Sequence, residues 1–290
     1  LEILACDLVP DLSAACAVAD RAFAVPRCND PGYAKAILDI VRDNQVNLVV
    51  PTIDPELMPL ASVADDFAQL GARLHVAPTD IIEVVRDKRL TSETLEAAGV
   101  PVPGSLGHEA LLADPDALGW PVFAKPSGGS ASRGLQVFQN INELPDSFEE
   151  PMVFQQLLRG PEYTINMFVD KGGQLQTVVP HLRIQIRAGE VEKGKTVRRD
   201  DFRQIAEGVH RALPGLTGVA CFQVIDDPDL GPRVIEINAR FGGGYPLADH
   251  AGAYFAQWLL EEVLDRPCGA NDDWRENVKM LRYDSAVYDG

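Results

Sequence analysis

The segment Val234-Ile235-Glu236-Ile237-Asn238-Ala239-Arg240 carries the clearest chemistry in the sequence. Alternate side chains of a strand share a face, so Glu236, Asn238 and Arg240 project together while Ile235, Ile237 and Ala239 point into a core. Two oxygen donors two residues apart suit a hard cation such as magnesium. The arginine at the end of the row can grip a phosphate or carboxylate through two parallel hydrogen bonds. Gln223 lies thirteen residues before Glu236, across a turn that holds Asp226, Asp227, Pro228 and Asp229. Antiparallel pairing would set its amide oxygen beside Glu236 as a further ligand. An amphipathic strand with a solvated face gives the same pattern.

Three other stretches suggest an anionic ligand. Phe123-Ala124-Lys125-Pro126 reads as a strand that ends on a lysine, followed by Ser127, Gly128, Gly129, Ser130, Ala131, Ser132, Arg133 and Gly134. Exposed amides in such a loop can wrap phosphate oxygens, and Arg133 adds charge. The Walker spacing is not met, and a flexible hairpin loop is the plain alternative. After Gly160-Pro161, a strand would place Glu162, Thr164 and Asn166 on one face and Tyr163, Ile165 and Met167 on the other. A carboxylate there could accept from ribose hydroxyls or simply meet solvent. Lys88, between Arg86 and Arg89, sits on a helix stopped by Gly99, Pro101 and Pro103. Basic clusters on helices are usually solvated faces, yet the chain has only seven lysines.

The elements that must position these residues alternate at first between strand and helix. Leu1–Cys6, Val46–Val50 and Arg73–Val76 read as short strands; Tyr33–Asp43 and Pro55–Leu70 read as helices. That order implies a parallel sheet with covering helices. Asp80 and Glu83 have capping-box spacing at the start of a helix running toward Ala98. Short strands follow at Pro121–Ala124, Leu135–Phe138 and Met152–Gln155. Longer ones are expected at Tyr163–Val169, Gly218–Ile225 and Arg233–Ala239, with helices at Asp201–Leu213 and Ala253–Leu264. His181, Arg183 and Arg187 fall in a polar strand or loop before a flexible run, Ala188–Lys195.

Composition narrows the functional classes. The 290 residues carry 26 basic and 43 acidic side chains, a net charge of −17. Such a surface repels nucleic acid and acidic membranes, so neither is an expected partner. No apolar run approaches a membrane span, and no signal-peptide pattern opens the chain. Five scattered cysteines without a Cys-x-x-Cys pair suit a cytoplasmic protein better than a disulfide framework. The first strand–helix unit of a dinucleotide-type domain is expected to be absent.

Taken in order, these motifs resemble the ATP-grasp family over most of the chain, in its carbamoyl-phosphate-synthetase-like branch of carboxylate–amine ligases. The run from Ile235 through Phe241-Gly242-Gly243-Gly244-Tyr245-Pro246-Leu247 is especially similar, as is Pro51-Thr52-Ile53-Asp54-Pro55-Glu56-Leu57. The resemblance implies an α/β chain with α+β lobes. A pre-grasp parallel domain would occupy residues 1–85, a small lid lobe 86–156, and a large lobe with the metal site 157–290. ATP and magnesium are the implied cofactors, two metal ions with manganese as a substitute. Lys88 and Lys125 would contact phosphates, and the stretch from Ser127 through Gly128, Gly129, Ser130, Ser132 and Arg133 would form a lid. Gln155, Gln156, Leu157 and Leu158 would read adenine, and Glu162 would bind ribose. Gln223, Glu236 and Asn238 would hold metal, and Arg240 would steady the transferring phosphoryl group.

Arg183 is the first candidate for the substrate carboxylate and Lys193 a second catalytic candidate, followed by His250; Asp54 and Glu56 could face the amine. Many family members carry Glu at the position of Gln155, whereas Gln223 matches the carbamoyl-phosphate branch. The implied reaction joins a small amino-acid-like carboxylate to an amine through an acyl phosphate. Phosphorylation of bicarbonate or carbamate, and a non-catalytic nucleotide-binding module, are the alternatives. A homodimer is compatible with this architecture.

Overall fold

The early strand–helix alternation produces parallel pairing. In a computed structural model, which describes residues 1–128 and 134–288, β1 (Leu4–Asp7) pairs with β2 (Arg21–Ala24) around α1 (Ala14–Val18). α2 (Tyr33–Asn44) buries Tyr33, Ile37 and Val41, spaced one helical turn apart, against Leu60, Phe67 and Ala72. β3 (Leu48–Val49) runs parallel to β4 (Arg73–Leu74). Between them the expected single helix is two, α3 (Asp54–Ala61) and α4 (Ala64–Gln69). Pro59 removes a backbone donor inside α3, and Val63 leaves the helical region to start α4. These elements and the stretch from Arg282 form one compact unit.

The second unit spans Ala77–Leu281. It opens with α5 (Thr79–Arg86) and α6 (Lys88–Ala97), where one continuous helix was expected. Asp87 makes the break. Its backbone is extended and its carboxylate accepts from the amides of Arg89 and Leu90, capping α6. Asp80 lies within the first turn of α5, whose cap is Pro78, so the expected capping box does not form.

A small antiparallel sheet comes next, built from β5 (Ser105–Gly107), β6 (Val122–Pro126), β7 (Gln136–Phe138) and β8 (Met152–Gln156) in the order β5-β8-β6-β7. With α7 (His108–Ala113), it closes over Leu111, Val122, Phe138 and Phe154.

The large sheet contains β9 (Glu162–Val169), β10 (Leu175–Arg187), β11 (Glu190–Thr196), β12 (Gly218–Asp227), β13 (Gly231–Asn238) and β14 (Lys279–Leu281). Its order is β13-β12-β9-β10-β11-β14, antiparallel throughout. The expected flexible run after Ala188 is a strand instead. Ala188 and Gly189 both have positive φ (51° and 82°), which a tight two-residue hairpin of right-handed twist requires, and Arg187 pairs with Glu190 across it.

α8 (Asp200–Ala212) covers one face of this sheet, with the Phe202 ring tilted against Tyr163 at a centroid distance of 4.8 Å. The opposite face is divided. At one end Phe168 packs on Phe255 and Trp258 of α10 (Phe255–Val263), which follows α9 (Tyr245–Ala251). Its other end is polar.

Gly160 is the joint between small and large sheets. It sits at φ +132°, and a methyl group there would lie 2.1 Å from the carbonyl oxygen of Asp226. Asp226 in turn donates its amide to Pro161, and the Asp227 carboxylate accepts from the Arg159 amide at 2.7 Å. Gly160→Ala must therefore displace backbone. It is expected to cost about 2–4 kcal/mol, read as a lower urea midpoint at unchanged slope.

Candidate functional site

Pairing across the large sheet assembles a polar row. Gln223 is directly opposite Glu236 on one side and Thr164 on the other, and Thr164 is opposite His181. Two residues further along, on the same face, Cys221 stands between Asn238 and Asn166. The expected juxtaposition of Gln223 with Glu236 is therefore present, as is the common face of Glu162, Thr164 and Asn166.

A bulge sets the phase of this row. Gln223 pairs with Glu236 but Val224 pairs with Val234, so Ile235 is an extra residue. Val234 thereby faces the same way as Val224 and is buried, while Glu236 faces the polar side. The unpaired Ile235 carbonyl accepts from Lys125 Nζ at 3.2 Å, bringing the end of β6 onto β13.

Lys125 is 6% exposed. Burial, and then the nearby charge of Lys88, bring its pKa down to about 8, with Glu236 pulling the other way. Lys88 reaches the same region through the Asp87 junction. Its amide donates to the Ser127 carbonyl at 3.0 Å, and its Nζ lies 3.5 Å from the Gly128 carbonyl. The Ser127 hydroxyl donates to Asp87 at 2.9 Å. Asp87 was not singled out from the sequence, although an aspartate immediately before a helical run is an N-cap signal. Gly129, Ser130, Ser132 and Arg133 of the expected lid lie outside the described residues.

At the other end of the row sits Arg183, whose side chain is 7% exposed. Its Nε lies 3.2 Å from Glu162, and its Nη1 donates to Thr164 Oγ1 at 3.3 Å. Gln223, oriented to satisfy its neighbours, accepts from the same Nη1 at 3.0 Å and donates to Glu162 at 3.2 Å. Nη2 donates to the Gly189 carbonyl at 2.7 Å. Nη1 and Nη2 thus donate to protein oxygens, while the buried Nε, although 3.2 Å from Glu162, makes no hydrogen bond. Burial raises the Glu162 pKa and Glu236 adds to the rise, while Arg183 opposes it.

The remaining candidates are dispersed. Asn238 Oδ1 accepts from Arg240 Nη2 at 3.2 Å, and Arg240 Nη1 donates to the Phe241 carbonyl. Gln155 is buried and donates to Ser105 Oγ at 2.8 Å; Gln156 accepts from the Gly104 amide. Their side chains therefore bind the small sheet, and Leu157 and Leu158 follow half-buried outside any strand. Lys193 lies on β11 between Gln185 and Leu281. Arg187 pairs with Glu192, and His250 lies in the last turn of α9. In the first unit, Asp54 opens α3 and Glu56 accepts from the Thr52 amide as part of the cap.

In the sequence His181 is one polar residue of a strand or loop, with no pattern to mark it as interior. It is fully buried, its Nδ1 3.2 Å from Asn166 Nδ2, and burial followed by the Arg183 charge holds its pKa down to about 3. It is a neutral imidazole packed beneath the glycine turn: a methyl on Gly244 would lie 2.6 Å from Nε2.

The oxygen donors fit a hard cation. Gln223 Oε1 and Asn238 Oδ1 each already face a guanidinium, so both are aimed at positive charge beside the Glu236 carboxylate. No cluster of three His, Cys, Asp or Glu side chains suited to a metal occurs among the described residues, so the donor set depends on its two amides.

Residues 1–75 match the PylC-like, N-terminal domain family, and residues 85–244 match the ATP-grasp domain family. Phosphoribosylamine–glycine ligase of Corynebacterium ammoniagenes is 26% identical over 239 residues, 71% of this chain and 55% of that protein. The carbamoyl phosphate synthase large chain of Thermotoga sp. (strain RQ2) is 26% identical over 227 residues, 67% of this chain and 20% of that one. The chain thus spans about half of the first relative and a fifth of the second. Among solved structures, the biotin carboxylase domain of Hydrogenobacter thermophilus 2-oxoglutarate carboxylase, in complex with MgADP and bicarbonate, superposes with a TM-score of 0.75 at 19% identity. That match covers 96% of this chain and 68% of the other. With residues 85–244, more than half of its length, matched by that family, the chain belongs to the ATP-grasp family.

Proposed function

We propose that the protein is an ATP-dependent carboxylate–amine ligase that makes an amide or peptide bond and releases ADP and phosphate. The observation that carries this reading is the meeting of Lys125 and Lys88 with Glu236 at the bulge of β13. The protein's charge of −17 opposes an anionic ligand, so a local set of cations is required. Lys88 and Lys125 would meet the phosphates, with the segment from Ser127 to Arg133 as lid. Glu162 would accept from ribose hydroxyls, and the backbone from Gln155 to Leu158 would border adenine.

Glu236, Asn238 and Gln223 would hold magnesium, two ions in all, which supplies positive charge to the phosphate oxygens when bound. The substrate carboxylate attacks the γ-phosphorus, its bond to ADP breaks, and an acyl phosphate forms. Arg240 would steady the transferring group. The amine then attacks the acyl carbon, phosphate leaves and the amine gives up a proton. Exclusion of water protects the acyl phosphate from hydrolysis. Lys193 is retained as a substrate-side candidate. The substrates would be small and amino-acid-like, in keeping with the relative that joins glycine to phosphoribosylamine. We place the enzyme in the cytoplasm, where its five thiols stay reduced, and as a homodimer, as the Hydrogenobacter domain is. No helix among the described residues is long and apolar enough to cross a membrane.

The test is an ADP-release screen over pairs of amino acids, with bicarbonate as a separate arm and mass detection of products. Amide products are expected, and Glu236→Ala should lower ADP release by at least about a thousandfold. ADP release with bicarbonate alone, or nucleotide binding without ADP release for any pair, overturns the ligase reading.

Lys125 gives a second test through stability. Below pH 8 the lysine is charged in both folded and unfolded chains, and the desolvation cost is complete; above pH 10.5 neither form is charged and the cost vanishes. A fall in pKa from 10.5 to about 8 corresponds to a cost of ~3 kcal/mol. Lys125→Met also forfeits the bond to the Ile235 carbonyl, which offsets about 1–2 kcal/mol of the gain. The variant should therefore be more stable than wild type at pH 7, by an amount that shrinks from pH 8 to 10.5, while nucleotide affinity falls at least about tenfold. Equal stability at pH 7 would show that no buried charge is being relieved.

A further inference from the structure

The tip of the β10–β11 hairpin is held from two sides. On one side Arg183 Nη2 donates to the Gly189 carbonyl at 2.7 Å. On the other, Glu190 lies against the glycine turn that follows Arg240: a methyl on Gly243 would stand 1.7 Å from Glu190 Oε2. The neighbouring residue Val191 packs on Gly244, where a methyl would lie 2.8 Å from its Cγ1. The guanidinium that holds the tip also occupies Glu162, Thr164 and Gln223 on β9 and β12.

We propose that Arg183 is a positioning residue that couples occupancy of the nucleotide site to the placement of the β10–β11 hairpin tip over the Gly242–Gly244 turn. The coupling rests on the reading of Glu162 as ribose ligand and Gln223 as metal ligand. A ribose hydroxyl on Glu162 and a cation on Gln223 Oε1 each take an acceptor that Arg183 now uses. A divalent cation and a guanidinium repel one another strongly at contact distance, so both cannot share one amide oxygen. The guanidinium is planar, with donors in a fixed fork. Losing the ion pair at Nε and a partner at Nη1 therefore re-aims Nη2, and Nη2 holds the hairpin tip. The turn beneath the tip follows directly from Arg240, where the acid substrate must reach the γ-phosphate. Nucleotide binding would thus set the hairpin before the acid is engaged. A lysine keeps the charge but has a compact ammonium that cannot span Glu162, Gln223 and Gly189 together.

The experiment is hydrogen–deuterium exchange on the full chain, with and without magnesium and a non-hydrolysable ATP analogue. Calorimetric titration of the same samples reports binding. In wild type, saturation should change exchange across residues 187–191 at least threefold. Arg183→Lys should still bind the analogue, with the hairpin response lost. Thr164→Val, which removes one neutral acceptor and leaves every charge in place, should reduce the response about twofold and serves if the arginine variant folds poorly. Wild-type binding with an unchanged hairpin overturns the coupling alone, as does an undiminished response in either folded variant. Absence of any binding heat in wild type overturns the nucleotide reading and the coupling with it.

Discussion

A lysine ammonium buried against a bulged strand is the contact on which the site depends. Lys125 reaches Ile235 across 110 positions of sequence, and its burial makes its charge costly unless other charges surround it. Glu236 provides the opposite sign, while Lys88 adds to the cost. The site sets Glu236 beside Lys125 and Glu162 beside Arg183, with Lys88 as a further cation. It is suited to a ligand that carries many negative oxygens and brings metal ions with it.

The large sheet reconciles this with folding by dividing its duties. One face is given wholly to the core under α8, through Tyr163, Ile165 and Phe222. The other is apolar only at the Phe168 end, where α10 covers it. Arg183 then does for the polar end what a helix does for the apolar end. It ties β9, β12 and the β10–β11 hairpin together, through charge and directed hydrogen bonds rather than area. An arginine so engaged looks in sequence like any exposed basic residue near a loop.

The legible parts of the chain were those with a strict period or a self-contained motif. The two-residue alternation put Glu236 and Asn238 on one face, whereas β13 ends at Asn238 and Arg240 lies in the bend beyond it; a short acidic turn was enough to pair Gln223 with Glu236. Helix α2 was visible in its apolar spacing. What escaped depended on distant partners. The Glu190–Thr196 strand is charged and glycine-containing, and gains its extended form from pairing with β10 and β14. Asp87 was hidden because the apolar pattern runs on either side of it. His181, fully buried and neutral, carries no signal in sequence because only the turn above it makes it interior.

The extra residue at Ile235 has a consequence for how this strand can vary. Without it, Val234 and Glu236 would share a face, and either a valine would line the polar row or a carboxylate would enter the core. One inserted position lets a single strand serve two masters, its first half phased to the interior and its second to the ligand. Side chains along the strand are then free to drift within their kinds, but the count of residues between them is not. Length, more than identity, is what this strand must conserve.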